Sequence, residues 1–124
     1  MDKPLRLPPV SGYDAEDAKA LLRKVIREHR RSRSTKSLTE HARSLAATGL
    51  QAVGSARTVA LYVSTDTEPS TRVLLDQLHA RGVAVLLPVL GPGLSRKWAL
   101  YQGAADLAER SPGRPPEPSG PVLD

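Results

Sequence analysis

Lys19, Arg23 and Arg27 recur every fourth residue, with Arg30 and Arg31 following. On a helix, positions four apart stack on one face, so several cations can converge on one polyanion. That chemistry suits a triphosphate clamp or a nucleic-acid patch. The periodicity alone fits a solvated charged face better than either. A second constellation is the polar run Tyr62-Val-Ser-Thr-Asp-Thr-Glu68-Pro-Ser-Thr71, which follows an apolar stretch. Ligands of open α/β sheets bind at the carboxyl ends of strands, where such a run would face the site. Glu68 would there accept a hydrogen bond from a ligand amino or ring N–H. Lying shortly before a helix, it would equally well favour that helix's N-terminal dipole. His29, His41 and His79 each fall on a helical stretch without paired metal-ligand spacing, and read as surface or core-edge histidines. The sequence contains no GxGxxG, GxxxxGK[ST] or GxSxG. It has no cysteine, which excludes disulfides, thiolate metal sites and a thiol nucleophile. No catalytic residue and no metal ligand stands out.

The elements that must position these residues follow from capping and period. Asp14 is placed to cap a helix running to about Ser32. Ala18, Leu21, Leu22, Val25 and His29 form its inward arc, and the cations form the neighbouring one. Ser37-Leu-Thr-Glu40 has capping-box spacing and opens a second helix, about Leu38 to Ala52, that ends near Gly54. Thr58–Val63 is β-branched and apolar and predicts a strand buried on both faces. Ser70 is placed to cap a third helix reaching about Ala80, with Leu74, Leu75 and Leu78 inward and Gly82 as its stop. Val83–Leu87 predicts a second strand closed by Pro88, and Lys97–Tyr101 is a third short apolar stretch. Strand, helix and strand in that order make a βαβ unit with parallel strands. Ala104–Glu109 has room for a helical turn, whereas five prolines between Ser111 and Pro121 exclude a helix or a central strand. Two or three strands are too few for a doubly covered parallel sheet. The expected fold is thus an incomplete three-layer α/β/α parallel-sheet domain, with N-terminal helices leading into the βαβ unit. Residues 1–13 form a flexible lead-in, 14–110 the domain, and 111–124 a Pro/Gly-rich segment.

The 124 residues suffice for one domain. With no Phe and only Tyr13, Tyr62, Trp98 and Tyr101 as aromatics, the core must be aliphatic. The net charge of +5 is uneven: eight Lys or Arg face one acid between Lys19 and Lys36. A local cationic surface therefore needs explaining, and a generally basic protein does not. The opening residues hold no continuous apolar segment of the secretory type. The longest apolar run, Val83–Leu90, is too short to span a membrane, so a cytoplasmic protein is expected. The basic helix carries no stacking aromatics, which weighs against a nucleic-acid-binding module. A non-catalytic remnant that pairs with another chain is the third alternative.

Several segments, in order, resemble the 5-formyltetrahydrofolate cyclo-ligase family. They are Lys19-Ala-Leu-Leu-Arg23 continuing to Arg31, Ala60-Leu-Tyr-Val-Ser with Glu68 and Thr71, and the Leu74-Leu75 helix. Val85-Leu-Leu-Pro88-Val89, Trp98-Ala-Leu-Tyr101 and Glu117-Pro118 complete the set, so the resemblance spans about residues 18–121. It implies a ligase that uses ATP and Mg²⁺ to convert 5-formyltetrahydrofolate to 5,10-methenyltetrahydrofolate. It also implies ATP contacts from Lys19, Ala20, Leu21, Leu22 and Arg23, and folate contacts from Val63 and Glu68. The family's glycine-rich GYGGGYYD-like ATP loop has no counterpart after Pro121. The resemblance therefore implies a chain that stops before its nucleotide site is complete and is inactive alone.

Overall fold

The computed structural model describes residues 3–66, 68–91, 93, 95–110 and 113–123. Residues 3–13 run without helix or strand into α1, Ala15–Arg31. Asp14 caps α1 as expected, its Oδ1 accepting the Asp17 N–H at 2.8 Å. Glu16 and Asp17 in the first turn and His29, Arg30 and Arg31 in the last complement the helix dipole. The inward arc is less enclosed than the sequence implies. Leu21, Leu22, Val25 and His29 are only half-buried, and no residue of α1 is fully buried.

Helix α2, Thr35–Val53, begins one turn earlier than the capping-box reading places it. Ser34 is the cap, its Oγ accepting the Ser37 N–H at 3.1 Å. Ser37 thus lies inside the first turn, and Glu40 sits 4.0 Å from Lys36 instead of reaching back to an amide. Two serines three residues apart offer alternative caps, and the earlier one gains the longer helix. Helix α3, Arg72–Ala80, packs on α2 closely enough that a Cβ at Gly49 would lie 2.7 Å from Leu74 Cδ2. It ends at Gly82, whose φ of 78° is the left-handed conformation a glycine stop supplies. Ser70 contributes only a 3.4 Å contact to the Arg72 N–H.

The sheet runs β1 (Thr58–Ala60), β2 (Ala84–Leu90), β3 (Arg96–Leu100), β4 (Val122–Leu123), in that spatial order. β1 and β2 are parallel and joined through α3, which is the expected βαβ unit. The remaining pairings are antiparallel, so the sheet is mixed and four-stranded. β1 is half the expected length, and Thr58 and Ala60 are exposed, so it is not buried on both faces.

β2 does not stop at Pro88; it continues to Leu90, with Pro88 opposite Trp98. The hydrogen bonds explain why this is tolerated. Ala84 N–H donates to Arg57 O and Leu86 O accepts from Leu61 N–H, so even-numbered residues of β2 face β1. The ladder with β1 ends there, and the missing N–H of Pro88 falls where no strand waits for it. Odd-numbered residues face β3, as the 2.8 Å bond from Tyr101 N–H to Val85 O shows. After Leu100 a single 3₁₀ turn, Ala104–Asp106, occupies the stretch allotted to a helical turn.

The core is aliphatic, as the composition requires. Leu74, Leu75 and Leu78 of α3, Ala46 of α2, Val85 and Leu87 of β2, Val63 and Tyr101 form one buried cluster. A fully buried Leu contributes roughly 1.5–3 kcal/mol relative to an exposed one, so these leucines fix α3 on the sheet. Tyr101 adds a hydroxyl that donates to Asp76 at 2.7 Å; burial, and then that carboxylate, push its pKa up. Leu86, Trp98 and Leu100 share the opposite face of the sheet, where they are more open to solvent.

Candidate functional site

The connection from β1 to α3 is tied to itself. Thr71 is 1% exposed, and its hydroxyl donates to Tyr62 O at 2.8 Å while accepting the Ser64 N–H at 3.1 Å. Ser64 returns the contact, its Oγ accepting the Thr71 N–H at 3.0 Å. Three backbone polar groups of a buried turn are thereby satisfied by two short side chains. Further out, Glu68 Oε1 accepts both the N–H and the hydroxyl of Thr65, each at 2.8 Å. The Glu68 carboxylate thus points back into its own loop and not at the amides of α3, which start four residues later. This bracing positions Val63, which is buried in the core at the carboxyl end of β1.

Val63 also lines a cavity of about 280 Å³ with Pro88, Val89, Leu90, Arg96, Arg114 and Glu117 among its walls. The cavity lies beyond the carboxyl ends of the two parallel strands. Its inner surface is largely apolar, with two guanidinium-bearing side chains and one carboxylate. Glu117 is 8% exposed, and its Oε2 accepts the Leu90 N–H at 3.0 Å. Leu90 lies on the β1-facing side of β2, so this carboxylate stands where a neighbouring strand would otherwise accept. The chain reaches this position because Glu117 pairs with Ala108 through two backbone hydrogen bonds, of 2.9 and 3.1 Å. Ser119 then bonds Asp106 through its hydroxyl and its N–H. These bonds, the hydroxyl's first, hold the Asp106 carboxyl below the usual range.

The residues expected to contact ATP lie elsewhere, on α1. Lys19, Ala20 and Arg23 are exposed, and Leu21 and Leu22 half-buried. Lys19 Nζ is 4.0 Å from Glu16 Oε1, an exposed pair worth at most about 1 kcal/mol. No residue of α1 lines the cavity, nor does Glu68. Of the residues expected to contact ATP or folate, the structure brings Val63 alone to the cavity. Arg96, Arg114 and Glu117 were not singled out as site residues. The signal available was an acid set among prolines, Pro115-Pro-Glu117-Pro118, which a solvated loop does not need.

These features define an α/β domain with a largely apolar cavity at the carboxyl ends of its parallel strands, the edge at which ligands of this fold class bind. The family model of the 5-formyltetrahydrofolate cyclo-ligase family matches residues 15–123, and the chain belongs to that family. A comparison with curated proteins finds no match. Among the described residues no helix is long and apolar enough to cross a membrane.

Proposed function

We propose that the chain serves the ATP-dependent conversion of 5-formyltetrahydrofolate to 5,10-methenyltetrahydrofolate, in the cytoplasm, and that the folate occupies the cavity beside Val63. The observation that carries this reading is the composition of that cavity at the carboxyl end of β1. Val63, Val89 and the prolines supply an apolar wall for a flat ring system. Arg96 and Arg114 match the carboxylates of a folate's glutamate, since a guanidinium pairs with a carboxylate through two parallel bonds. Glu68 stands outside the cavity's walls, on the loop that follows Val63; Thr65 orients it through one oxygen, and its Oε2 has no hydrogen-bond partner among the described residues. A carboxylate held in this way is suited to accept from the amino or ring N–H groups of a pterin.

For the nucleotide, the exposed heads of Lys19 and Arg23 lie one turn apart on α1, which fits a phosphate chain. When bound, ATP supplies the phosphoryl group that turns the formyl oxygen into a leaving group. The chain's part is to hold and orient: Lys19 and Arg23 neutralise phosphate charge, and the half-buried Leu21 and Leu22 seat the Lys19–Arg23 segment, Ala20 included. Among the described residues no three acidic, imidazole or thiol groups cluster as a metal cage would. The proposed roles belong to side chains alone.

The test is calorimetric titration of the 124-residue chain with 5-formyltetrahydrofolate and, separately, with ATP. Glu68→Gln should weaken folate binding about tenfold or more, because a charged hydrogen bond is worth roughly 1.5–3 kcal/mol. Lys19→Ala with Arg23→Ala should weaken ATP and leave folate unchanged. Unchanged folate affinity in Glu68→Gln would reduce Glu68 to bracing its loop. Equal weakening of both ligands by the double variant would mean a folding defect.

A further inference from the structure

The corner between α1 and α2 holds a second, more open cleft of about 450 Å³, within the roughly 300–1,000 Å³ span of small-molecule sites. Three separate segments wall it: the lead-in at Lys3, the end of α1 at His29, and the corner and opening of α2 with Arg33, Lys36, Glu40 and His41. Three permanent cations thus face one carboxylate. That carboxylate, Glu40, is 4.0 Å from Lys36. Arg33 points its Nη1 at His41 Nδ1, 3.4 Å away, so its described partner is an imidazole and not an acid. His29 Nε2 and the Lys3 carbonyl lie 2.8 Å apart; with the ring donating, this contact fastens the lead-in as the cleft's third wall. Among the described residues lining this corner, three cations from different stretches of chain thus converge on a single carboxylate.

We propose that this cleft is a binding site for an oligophosphate, a chain of linked phosphates, distinct from the Lys19–Arg23 face. His29 lies about 9 Å along the helix axis from Arg23 and about 15 Å from Lys19, so a triphosphate gripped by Lys19 and Arg23 together is displaced from the cleft. Phosphate suits the cleft better than a single carboxylate does. It offers several charged oxygens to cations arriving from three directions, and Arg33 can engage two of them at once.

The experiment is residue-resolved NMR titration of the 124-residue chain, at low salt, with tripolyphosphate, ATP and orthophosphate. Amide shifts at Lys36 and His41 are followed apart from those at Lys19 and Arg23. Tripolyphosphate and ATP should move Lys36 and His41 with similar affinity, and orthophosphate should bind at least about tenfold more weakly. Arg33→Gln with Lys36→Gln should weaken that event tenfold or more, while Lys19→Ala with Arg23→Ala leaves it unchanged. Arg43→Gln removes a cation of α2 outside the cleft and should change little; an equal loss there would reveal a diffuse surface field and overturn the proposal. So would silence at Lys36 and His41, or a response to ATP without one to tripolyphosphate. The unaltered chain carries the decisive measurement, so a misfolded variant does not protect the proposal.

Discussion

Asp106 keeps its charge more tenaciously than a free aspartate because Ser119 donates to it from both hydroxyl and backbone. A carboxyl lowered in the native state stabilises the fold above its ordinary value of 3.8, and that stability is lost as pH falls through the lowered native value. Ser119→Ala removes the larger of the two bonds and leaves the backbone N–H. The Asp106 carboxyl resonance, followed by NMR, should then titrate closer to 3.8 than in the unaltered chain. Urea unfolding should show the variant less stable near neutrality, with the gap closing on acidification. A gap that persists at low pH would mean that Ser119 acts by packing and not through the carboxylate.

The β1–α3 connection shows how an element boundary can rest on one hydroxyl. Thr71 is isosteric with valine, so Thr71→Val keeps the shape and removes the bonds to Tyr62 O and Ser64 N–H. Buried groups left without partners cost about 1–3 kcal/mol each, and thermal unfolding should register a loss of at least about 2 kcal/mol. Ser70→Ala, whose contact is 3.4 Å long, should lose less than about 0.5 kcal/mol. Equal losses would restore Ser70 as the cap that the sequence suggests. Capping and apolar period made Asp14, Leu74, Leu75, Leu78 and Gly82 readable before any fold was known, because each acts within its own helix or at its edge. Pro88 misled because a proline stops a strand only where its missing N–H is needed. That depends on how far β1 reaches, which is a property of the pairing. The two residues of β4 carry no period at all. Arg96 meets Val63 through the β2–β3 pairing, and Arg114 and Glu117 through the return of the proline-rich segment, so no local spacing brings the three together.

At the scale of the whole molecule, the cavity belongs to no single stretch of chain. Val63 follows β1, Leu90 ends β2, Arg96 opens β3, and Arg114 and Glu117 arrive after the Ala108–Glu117 bridge. An unfolded chain offers none of this surface together, so whatever occupies the cavity binds the native state alone. Occupancy and folding are then one equilibrium seen from two sides. A ligand at a hundred times its Kd should raise the unfolding free energy by about 2.7 kcal/mol, and the melting temperature should climb with the logarithm of its concentration. Calorimetry across a series of 5-formyltetrahydrofolate concentrations measures that slope, and a flat response would mean the folate does not bind the native state. The same linkage gives the Glu117–Leu90 bond a wider meaning. A carboxylate that closes the end of a strand also closes the wall of the cavity, so a ligand seated there would hold the strand end and the proline-rich segment together as it favours the native state.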